Sequence, residues 1–483
     1  MNTWLLYIII AAILVVAELI FFRVADRYKL VDKSNGSTST SIVTRKGGGV
    51  IFLLSIVIWG VMMLSLGNEI VDYVPFLSGL LLIAGVSFLD EFHSVPDSIR
   101  VAAQFIAMGL MFWTLGVMYW DLWWKVLIAL ILFVGTINVI GFMDGVNGIT
   151  AGYSLVVLLS LFLLNDQLDK PFILDSFLGV SILGVLVFGF YNFRPSGKAK
   201  VFAGSVGSVG IAFIMLFALG KLIIQTSDVT WFVFLVVYGV DGCLTVFHQL
   251  IRHEGLGRTH RKHAYQLMAN ELGMNHVTVS LFYMGVQLAI SIIMIYLIPN
   301  TAEAHWTYLI AVSLVLSVAY ILFIKKYYHL YEAYLQRQRL ETTERITPDL
   351  LDQLTAQAKT TPSRSMDYDL CGIAKGLSQR TLIAIEPDAA VSMHRPQKFS
   401  ETVVCLRGRL VEEFYDEVER RCVETIELSP NGPVVALNIP AGQWHTGRAL
   451  ESGTVVVVVK DGKSEAKKQS LVYMNGHYEM SGE

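Results

Sequence analysis

Acidic side chains stand where two long apolar segments of this chain end. Asp90 and Glu91 close one such segment, and Asp144 follows another among the glycines of residues 138–148. Adjacent carboxylates at a membrane boundary repel each other and are costly to desolvate unless a cation compensates them. Mg²⁺ in proteins takes one or two carboxylates together with phosphate oxygens. Two interpretations follow: solvated helix ends, or a site for Mg²⁺ and a pyrophosphate.

Basic and small residues follow in the next polar stretch. Residues 192–208 contain Asn192 and Lys200 and continue into a run of glycine and serine. Free N–H groups and the helix dipole both favour anions at a helix N-terminus, so the run predicts a phosphate contact. Close helix packing through small residues explains the same run equally well.

A fourth polar stretch comes after an apolar segment that contains Asp241. It carries Arg252, His260, Arg261 and His263, and the two histidines share a helix face because they are three residues apart. An intramembrane aspartate is a candidate functional residue, and the basic cluster would attract anions. No third nitrogen or sulfur ligand follows at a spacing typical of zinc sites. A loop that merely anchors the cytoplasmic side of a membrane protein is the alternative.

The composition indicates that these polar stretches belong to a membrane protein. Of 483 residues 54% are hydrophobic and 16% are charged, whereas soluble domains carry about 25% charged residues. The mean hydropathy is +0.54. A net charge of −3 argues against nucleic acid as a partner, and four cysteines are too few for a disulfide scaffold.

Apolar runs long enough for membrane helices predict a polytopic α-helical bundle of about eleven transmembrane helices. The first run lacks a basic leader and a cleavage site, so it is interpreted as an anchor. The runs lie near residues 4–22, 48–66, 73–89, 103–118, 123–140, 151–164, 172–190, 204–220, 230–247, 277–297 and 306–324.

Lysines and arginines concentrate in the loops on one side of this bundle, and only Lys125, Lys170 and Lys221 lie on the other. The positive-inside rule therefore predicts an outside N-terminus and a cytoplasmic C-terminus. The four polar stretches, around Asp90-Glu91, residues 138–148, residues 192–208 and Arg252 to His263, share the cytoplasmic side. A secondary transporter is the less favoured alternative, because transporter sites lie near the bilayer midplane.

The chain divides by composition into three parts. Residues 1–335 form the membrane domain, residues 336–365 are a polar linker with a helix start at Thr347, and residues 366–483 are rich in short Val/Ile/Thr runs separated by turns. The last part is predicted to be a small all-β domain.

The membrane part resembles the polyprenyl-phosphate N-acetylhexosamine-1-phosphate transferases, relatives of the enzyme that makes the first lipid intermediate of peptidoglycan. The resemblance covers residues 1–335 and rests on several motifs in the family's order. They are residues 44–49 (TRKGGG), the pair Asp90-Glu91, residues 138–148 around Asp144, residues 202–208 (FAGSVGS) and residues 260–266 (HRKHAYQ).

The resemblance implies a bacterial inner-membrane enzyme that starts lipid-linked surface glycan synthesis. Undecaprenyl phosphate would attack the β-phosphorus of a UDP-N-acetyl-amino sugar and release UMP. Asp144 would hold Mg²⁺, or Mn²⁺ as the alternative, and Asp90 and Glu91 would position or deprotonate the attacking phosphate. The implied substrate-binding residues are Asn138, Asn147, Asn192, Lys200, Arg252, His260, Arg261 and His263. The sequence leaves open whether the chain forms a homodimer.

Three positions depart from the family pattern. Gly141 stands where an asparagine is usual, Glu91 where an aspartate is usual, and Ser205 where relatives carry a metal-binding aspartate. A hydroxyl is a weak ligand for Mg²⁺. Either another carboxylate compensates for Ser205, or the chain is a non-catalytic binder of lipid phosphate or nucleotide sugar.

The C-terminal part resembles the small cupin barrels encoded with surface-polysaccharide genes. Residues 394–408 and 440–445 are similar to the two cupin motifs, with Pro396 in place of one histidine. The resemblance implies a metal site of His394, Glu401 and His445, a set that suits a first-row metal. A barrel without metal is the alternative, and no reaction is assigned to this domain.

Overall fold

The computed structural model divides into two compact units, residues 1–336 and 337–483. Each is described by itself below. The structure describes residues 3–28, 30–32, 44–67, 69–93, 95–118, 121, 123–252, 262–341, 345–370, 378–389, 391–396, 400–416, 421–461, 470–474 and 477–480.

The first unit is an assembly of apolar helices. Ten described helices are long and apolar enough to cross a membrane, and an eleventh, of 16 residues, is shorter than that. All eleven predicted segments coincide with helices, and the chain is a multi-pass membrane protein. The helices are α1 (Thr3–Arg27), α2 (Val50–Ser65), α3 (Val74–Phe92), α4 (Asp97–Leu115), α5 (Trp123–Phe142), α6 (Ile149–Gln167), α7 (Asp175–Asn192), α8 (Gly204–Thr226), α9 (Val236–Ile251), α10 (Ala264–Gln266), α11 (His276–Tyr296) and α12 (Ala302–Glu341).

Helix α8 lies at the centre of this unit. Nearly every residue from Val206 to Leu222 is buried, so the helix is apolar on all faces, as expected of a central helix. Phe76 of α3 stacks on Phe213 and Phe217 of α8, with ring centroids 5.5 and 4.0 Å apart. The surrounding helices thus hold the start of α8 in a fixed place.

A glycine segment fixes that start from the other side. After the short strands β1 (Val31–Asp32) and β2 (Thr44–Arg45), the N–H groups of Gly48 and Gly49 donate to the carbonyls of Phe202 and Ala203 at 3.0 and 3.1 Å. A Cβ on Gly49 would overlap the backbone of Gly207. The approach of these two backbones therefore requires glycine.

Helix α12 is longer than its apolar run predicts. It continues to Glu341, past the expected end near residue 324 and the expected domain boundary at 335. Residues 325–341 contain neither glycine nor proline, so nothing in the local sequence ends the helix. Its tyrosines Tyr320, Tyr328 and Tyr331 pack against Ala264 and Leu267, which follow the basic loop.

After the end of α12, the described residues of the second unit form one helix and two antiparallel sheets. In α13 (Pro348–Thr360) the predicted start is confirmed, because the Thr347 hydroxyl accepts the N–H of Leu350 at 3.3 Å. The strands are β3 (Ser365–Asp369), β4 (Ser378–Ile385), β5 (Met393–His394), β6 (Glu401–Arg407), β7 (Leu410–Tyr415), β8 (Cys422–Leu428), β9 (Ala436–Ile439), β10 (Trp444–Ala449), β11 (Thr454–Asp461), β12 (Ser470–Met474) and β13 (His477–Met480).

The sheet orders are β13-β12-β5-β10-β7-β8 and β3-β4-β11-β6-β9. Burial alternates along β6 and β7, as expected for strands with one face in a core. That core contains Val403, Leu410, Leu428 and Val456. The predicted C-terminal β domain is confirmed, whereas its assignment to the cupin barrels stays a prediction.

Candidate functional sites

Asp90 and Glu91 are adjacent in sequence but have separate surroundings. One oxygen of Asp90 accepts from Nη1 of Arg100 at 2.9 Å, and the other accepts from the Val95 N–H at 3.0 Å. Arg100 also contacts Asp97. Neighbouring residues on a helix point about 100° apart, so Asp90 faces the start of α4 while Glu91 faces elsewhere.

Glu91 reaches the N-terminus of α8. Its Oε1 accepts from the Val206 N–H at 3.2 Å and also receives a hydrogen bond from the backbone of Ser205. Gly204 has φ +69°, and a Cβ there would overlap the same carboxylate. The glutamate thus caps the helix and interacts favourably with its dipole. In this structure the N–H groups of Ser205 and Val206 donate to Glu91, and a phosphate contact at this helix start stays a prediction.

Asp144 approaches the same helix start from the loop between α5 and α6. Its Oδ1 accepts from the Thr150 hydroxyl at 2.6 Å, and the backbone of Gly204 also donates to it. Desolvation raises the pKa of Asp144 to about 6, although those hydrogen bonds and the charge of Lys46 act in the opposite direction. Two carboxylates therefore converge on the first turn of α8.

The cluster of Glu91, Asp144, Lys46 and Gly204 is hereafter the α8 site. Lys46 interacts electrostatically with both carboxylates. Glu91 Oε2 is buried and has no hydrogen-bond partner among the described residues. A buried carboxylate oxygen without a partner, beside a second carboxylate, is a fitting ligand for a divalent cation. Ser205 lies exposed at this helix start.

The three predicted asparagines connect protein segments. Asn138 exchanges two hydrogen bonds with Gln104, at 2.8 and 3.2 Å. Asn192 accepts from the Gly148 N–H and donates to the Val201 carbonyl, both at 2.8 Å. Asn147 donates to the carbonyls of residues 194 and 195, and its Oδ1 is buried without a partner among the described residues. Substrate contact stays a prediction for all three.

The basic residues predicted to bind substrate have different surroundings in the structure. Lys200 is exposed, and its carbonyl accepts from Arg45 at 3.3 Å. Arg252 pairs with Glu332 of α12 at 2.9 Å and lies over the Tyr328 ring, so its described contacts join α9 to α12. His260 and Arg261 lie outside the described residues.

His263 is held by Asp241 rather than exposed. Its Nδ1 lies 3.2 Å from Asp241 Oδ1, which also accepts from the Ala264 N–H at 3.2 Å. The other oxygen accepts from the Tyr283 hydroxyl at 2.6 Å. His263 and Asp241 are 5% and 4% exposed, so this aspartate anchors the end of the basic loop inside the protein.

Tyr265 extends the same connection to the loop of Asp144. Its hydroxyl donates to the Phe142 carbonyl at 2.9 Å, and a Cβ on Gly145 would collide with that hydroxyl. The end of the basic loop therefore packs directly on the residues around Asp144. Sequence reasoning missed Tyr265 and the contacts of Lys46, although both residues lie inside motifs that it quoted.

A second cluster lies in the β unit. His394, Glu401 and His445 each offer one ligand atom, and these atoms lie within 4.8 Å of one another. His394 and His445 face each other across β5 and β10. This β pocket brings together all three residues of the predicted metal set.

The outer ring nitrogens of both histidines have partners. His445 Nδ1 lies 3.3 Å from Oε2 of the buried Glu412, and His394 Nδ1 lies 3.3 Å from the Ser392 carbonyl. His445 Nε2 is buried with no partner among the described residues, and His394 Nε2 lies 3.5 Å from Glu401, too long for a strong hydrogen bond. Two imidazoles fixed through Nδ1, with Nε2 unused, are the usual arrangement of metal-binding histidines.

Glu401 is charged in this pocket. Burial disfavours the ionised form, but His394 and Lys460 hold the pKa of Glu401 at about 2. Its carboxylate is therefore an anionic ligand candidate at neutral pH.

These features define a multi-pass membrane protein with a two-carboxylate site at a helix start and a separate β unit. Among known protein families, glycosyl transferase family 4 matches residues 73–223, so this segment of the membrane unit is similar to that family. Residues 346–427 match a domain of unknown function, DUF6016.

The chain is similar to a curated bacterial protein, the probable undecaprenyl-phosphate N-acetylglucosaminyl 1-phosphate transferase of Bacillus subtilis (strain 168). The two are 26% identical over 290 residues, which cover 56% of this chain and 79% of that protein.

Among solved structures, KdgF from Halomonas sp. is 17% identical and covers 22% of this chain and 85% of its own, with a TM-score of 0.18. A cupin 2 domain-containing protein from Halorhodospira halophila is 14% identical and covers 22% of this chain and 68% of its own, also with a TM-score of 0.18.

Proposed function

We propose that the membrane unit transfers N-acetylhexosamine-1-phosphate from a UDP-sugar to undecaprenyl phosphate. An oxygen of the lipid phosphate forms a bond to the β-phosphorus, the bond from that phosphorus to UMP breaks, and the sugar remains on a lipid diphosphate. The observation that carries the proposal is the convergence of Asp144 and Glu91 at the start of α8. The family 4 segment and the curated relative support it.

Asp144 and Glu91 would hold a divalent cation, Mg²⁺ or in the alternative Mn²⁺. When bound, the cation neutralises charge on the pyrophosphate, which is the main requirement of phosphoryl transfer. Ser205 cannot supply a negative charge, and Glu91 would supply it instead. The glutamate side chain is longer than that of aspartate and reaches the first turn of α8, next to Ser205. Ser205 would then contribute at most a neutral ligand.

The other residues position the two substrates in this proposal. Asp90, oriented by Arg100, lies at the membrane boundary near the place where a lipid phosphate would arrive. The basic residues Lys200, His260 and Arg261 would contact the nucleotide sugar. His263, held by Asp241, would fix the end of the basic loop.

The test is UMP release from purified full-length protein in detergent with undecaprenyl phosphate, Mg²⁺ and a panel of UDP-N-acetylhexosamines. D144N should lower the rate of UMP release by at least about 100-fold. D169N, which removes an exposed carboxylate from the loop between α6 and α7, should not change that rate. Release that is independent of lipid or of Asp144 would overturn the proposal.

The alternative, a non-catalytic binder of lipid phosphate or nucleotide sugar, is motivated by Ser205. It predicts no UMP release from wild type or from S205D with any UDP-sugar. Binding of the same ligands to the silent wild type, measured by calorimetry, would then establish it.

We also propose a location: the bacterial inner membrane, with the N-terminus outside and the α8 site and the β unit in the cytoplasm. The distribution of lysine and arginine supports it. Labelling of cysteines introduced at residues 169 and 359 in intact cells tests the orientation, with labelling expected at residue 169 alone. Sedimentation in detergent tests whether the chain is a homodimer.

For the β unit we propose a first-row divalent metal held by His394, Glu401 and His445. The unused Nε2 atoms and the charged glutamate support it. Elemental analysis after purification should find one equivalent of metal that H445A lacks. Equal metal content in both proteins would contradict it.

A further inference from the structure

Lys460 contacts the glutamate of the β pocket. In the pairing of β11 with β6, Lys460 lies directly opposite Glu401, and its Nζ is 2.9 Å from Glu401 Oε2. The lysine side chain is 30% exposed, whereas that of Glu401 is 4% exposed. The ammonium group thus reaches a buried carboxylate from the edge of the pocket.

Glu401 is also the only anionic member of the set His394, Glu401 and His445. Each histidine has a contact at Nδ1, and its Nε2 is the ring nitrogen left for a ligand. The carboxylate of this set that would bind a cation is therefore already paired with a cation of the chain.

We propose that Lys460 competes with the metal for Glu401, which makes the β pocket an exchangeable metal site rather than a structural one. This inference rests on the metal site proposed above. Metal binding has to move the ammonium away from Glu401 Oε2 or bear its repulsion, and either lowers the affinity.

The exposure and the chemistry of lysine allow that movement. Its ammonium lies on a flexible four-carbon chain and is strongly hydrated, and a side chain that is 30% exposed has a route into solvent. Arginine, with its planar fork, would bind the carboxylate more rigidly.

The proposed competition also predicts that the unit folds before metal binds. A buried carboxylate with no cation is strongly destabilising, because the charge loses its hydration without compensation. Lys460 supplies that compensation in the metal-free state. A structural site, in contrast, would leave its ligands uncompensated until the metal arrives.

The experiment titrates Co²⁺ into metal-stripped full-length protein in detergent, followed by visible absorption and calorimetry. Wild type is compared with K460M and K460Q, and with K359M as the matched control, since Lys359 is an exposed lysine of α13. The part of the signal that H445A lacks is assigned to the β pocket, which separates it from binding at the α8 site.

Both Lys460 variants should bind Co²⁺ about ten-fold more tightly than wild type, because one repelling charge is gone. K359M should bind like wild type. The metal-stripped Lys460 variants should also unfold at a lower temperature than wild type and recover on addition of Co²⁺.

Two outcomes overturn the inference in different ways. If wild type binds Co²⁺ through His445 but neither Lys460 variant binds more tightly, Lys460 does not compete and the metal site alone survives. If wild type and both Lys460 variants show no H445A-sensitive binding, the metal site and the inference fail together. Binding in the Lys460 variants alone would support the competition most strongly.

Discussion

The α8 site and the β pocket both bury a glutamate, and the two carboxylates have different kinds of partner. At the α8 site, Glu91 accepts hydrogen bonds from the backbone of the first helical turn. In the β pocket, Glu401 is paired with a lysine on the neighbouring strand. The first arrangement depends on backbone segments from distant parts of the chain, and the second depends on strand register alone.

This difference predicts which changes each site tolerates. The α8 site should lose activity when a Cβ is added at a glycine that contacts its carboxylates. The hydrogen-bond donors there are main-chain groups, so a change of side-chain rotamer cannot restore the contact. The β pocket should keep its fold when one of its side chains is substituted, and each such substitution should change its affinity for metal. The four predictions below test this contrast, from the largest expected effect to the smallest.

Gly204→Ala should abolish UMP release and is expected to have the largest effect. The residue has φ +69°, and its new Cβ would overlap Glu91 Oε1. Gly116→Ala is the matched control, since Gly116 has φ +71° and a Cβ added there would meet no described atom within 4 Å. Both variants should lose about 1 kcal/mol of stability from the left-handed backbone, but only G204A should lose activity, measured by UMP release and thermal unfolding. Equal activity in the two variants would show that the function of Glu91 does not depend on its close contact with the backbone at residue 204.

Glu91→Asp should lower the rate of UMP release by about 10-fold to 100-fold, because the shortened side chain no longer reaches the Val206 N–H. Adding Ser205→Asp should restore part of the loss, since it returns a carboxylate to the same helix start. The double-mutant cycle measures this coupling. Additive effects of the two substitutions would contradict a shared role for residues 91 and 205.

The sequence predicted the helices of the membrane unit well, because the length and polarity of an apolar run are local properties. It predicted less of the α8 site. Asp90 and Glu91 look like one acidic pair in the sequence, yet helical geometry separates them, and Asp90 pairs with Arg100. The partner of Glu91 is the backbone of Val206, 115 positions away, and no local pattern encodes such a contact.

The β pocket shows the opposite balance. The resemblance to a motif identified His394, Glu401 and His445, and the structure brings all three together. The motif did not include Glu412 or Lys460, because these residues lie outside its two segments, on β7 and β11. Only the strand pairings reveal that these two face the pocket.

Asp241→Asn should raise the KM for the UDP-sugar several-fold with a smaller change in kcat. The substitution weakens the hydrogen bonds that hold His263 and Ala264, so the end of the basic loop loses its fixed position beside the Asp144 loop. Tyr265→Phe removes the next contact, to the Phe142 carbonyl, and should act in the same direction. Initial rates at varied UDP-sugar concentration test both, with D169N as the control. A change in kcat alone would assign Asp241 to the chemical step instead of to positioning.

Glu412→Gln should have the smallest effect on UMP release, because it should leave the α8 site unchanged and act only on the β pocket. Glu412 is buried, and its carboxylate lies 3.3 Å from His445 Nδ1, so it fixes the ring and increases the basicity of Nε2. Loss of such a partner typically weakens metal binding about 10-fold or more, and Co²⁺ titration measures it. Glu413→Gln is the matched control, because Glu413 is the next residue on the strand and contacts Tyr415 and Arg448 instead. Equal Co²⁺ affinity in E412Q and E413Q would mean that strand register alone orients His445. The β pocket would then need no side chain beyond the ligands themselves, which would increase its contrast with the α8 site.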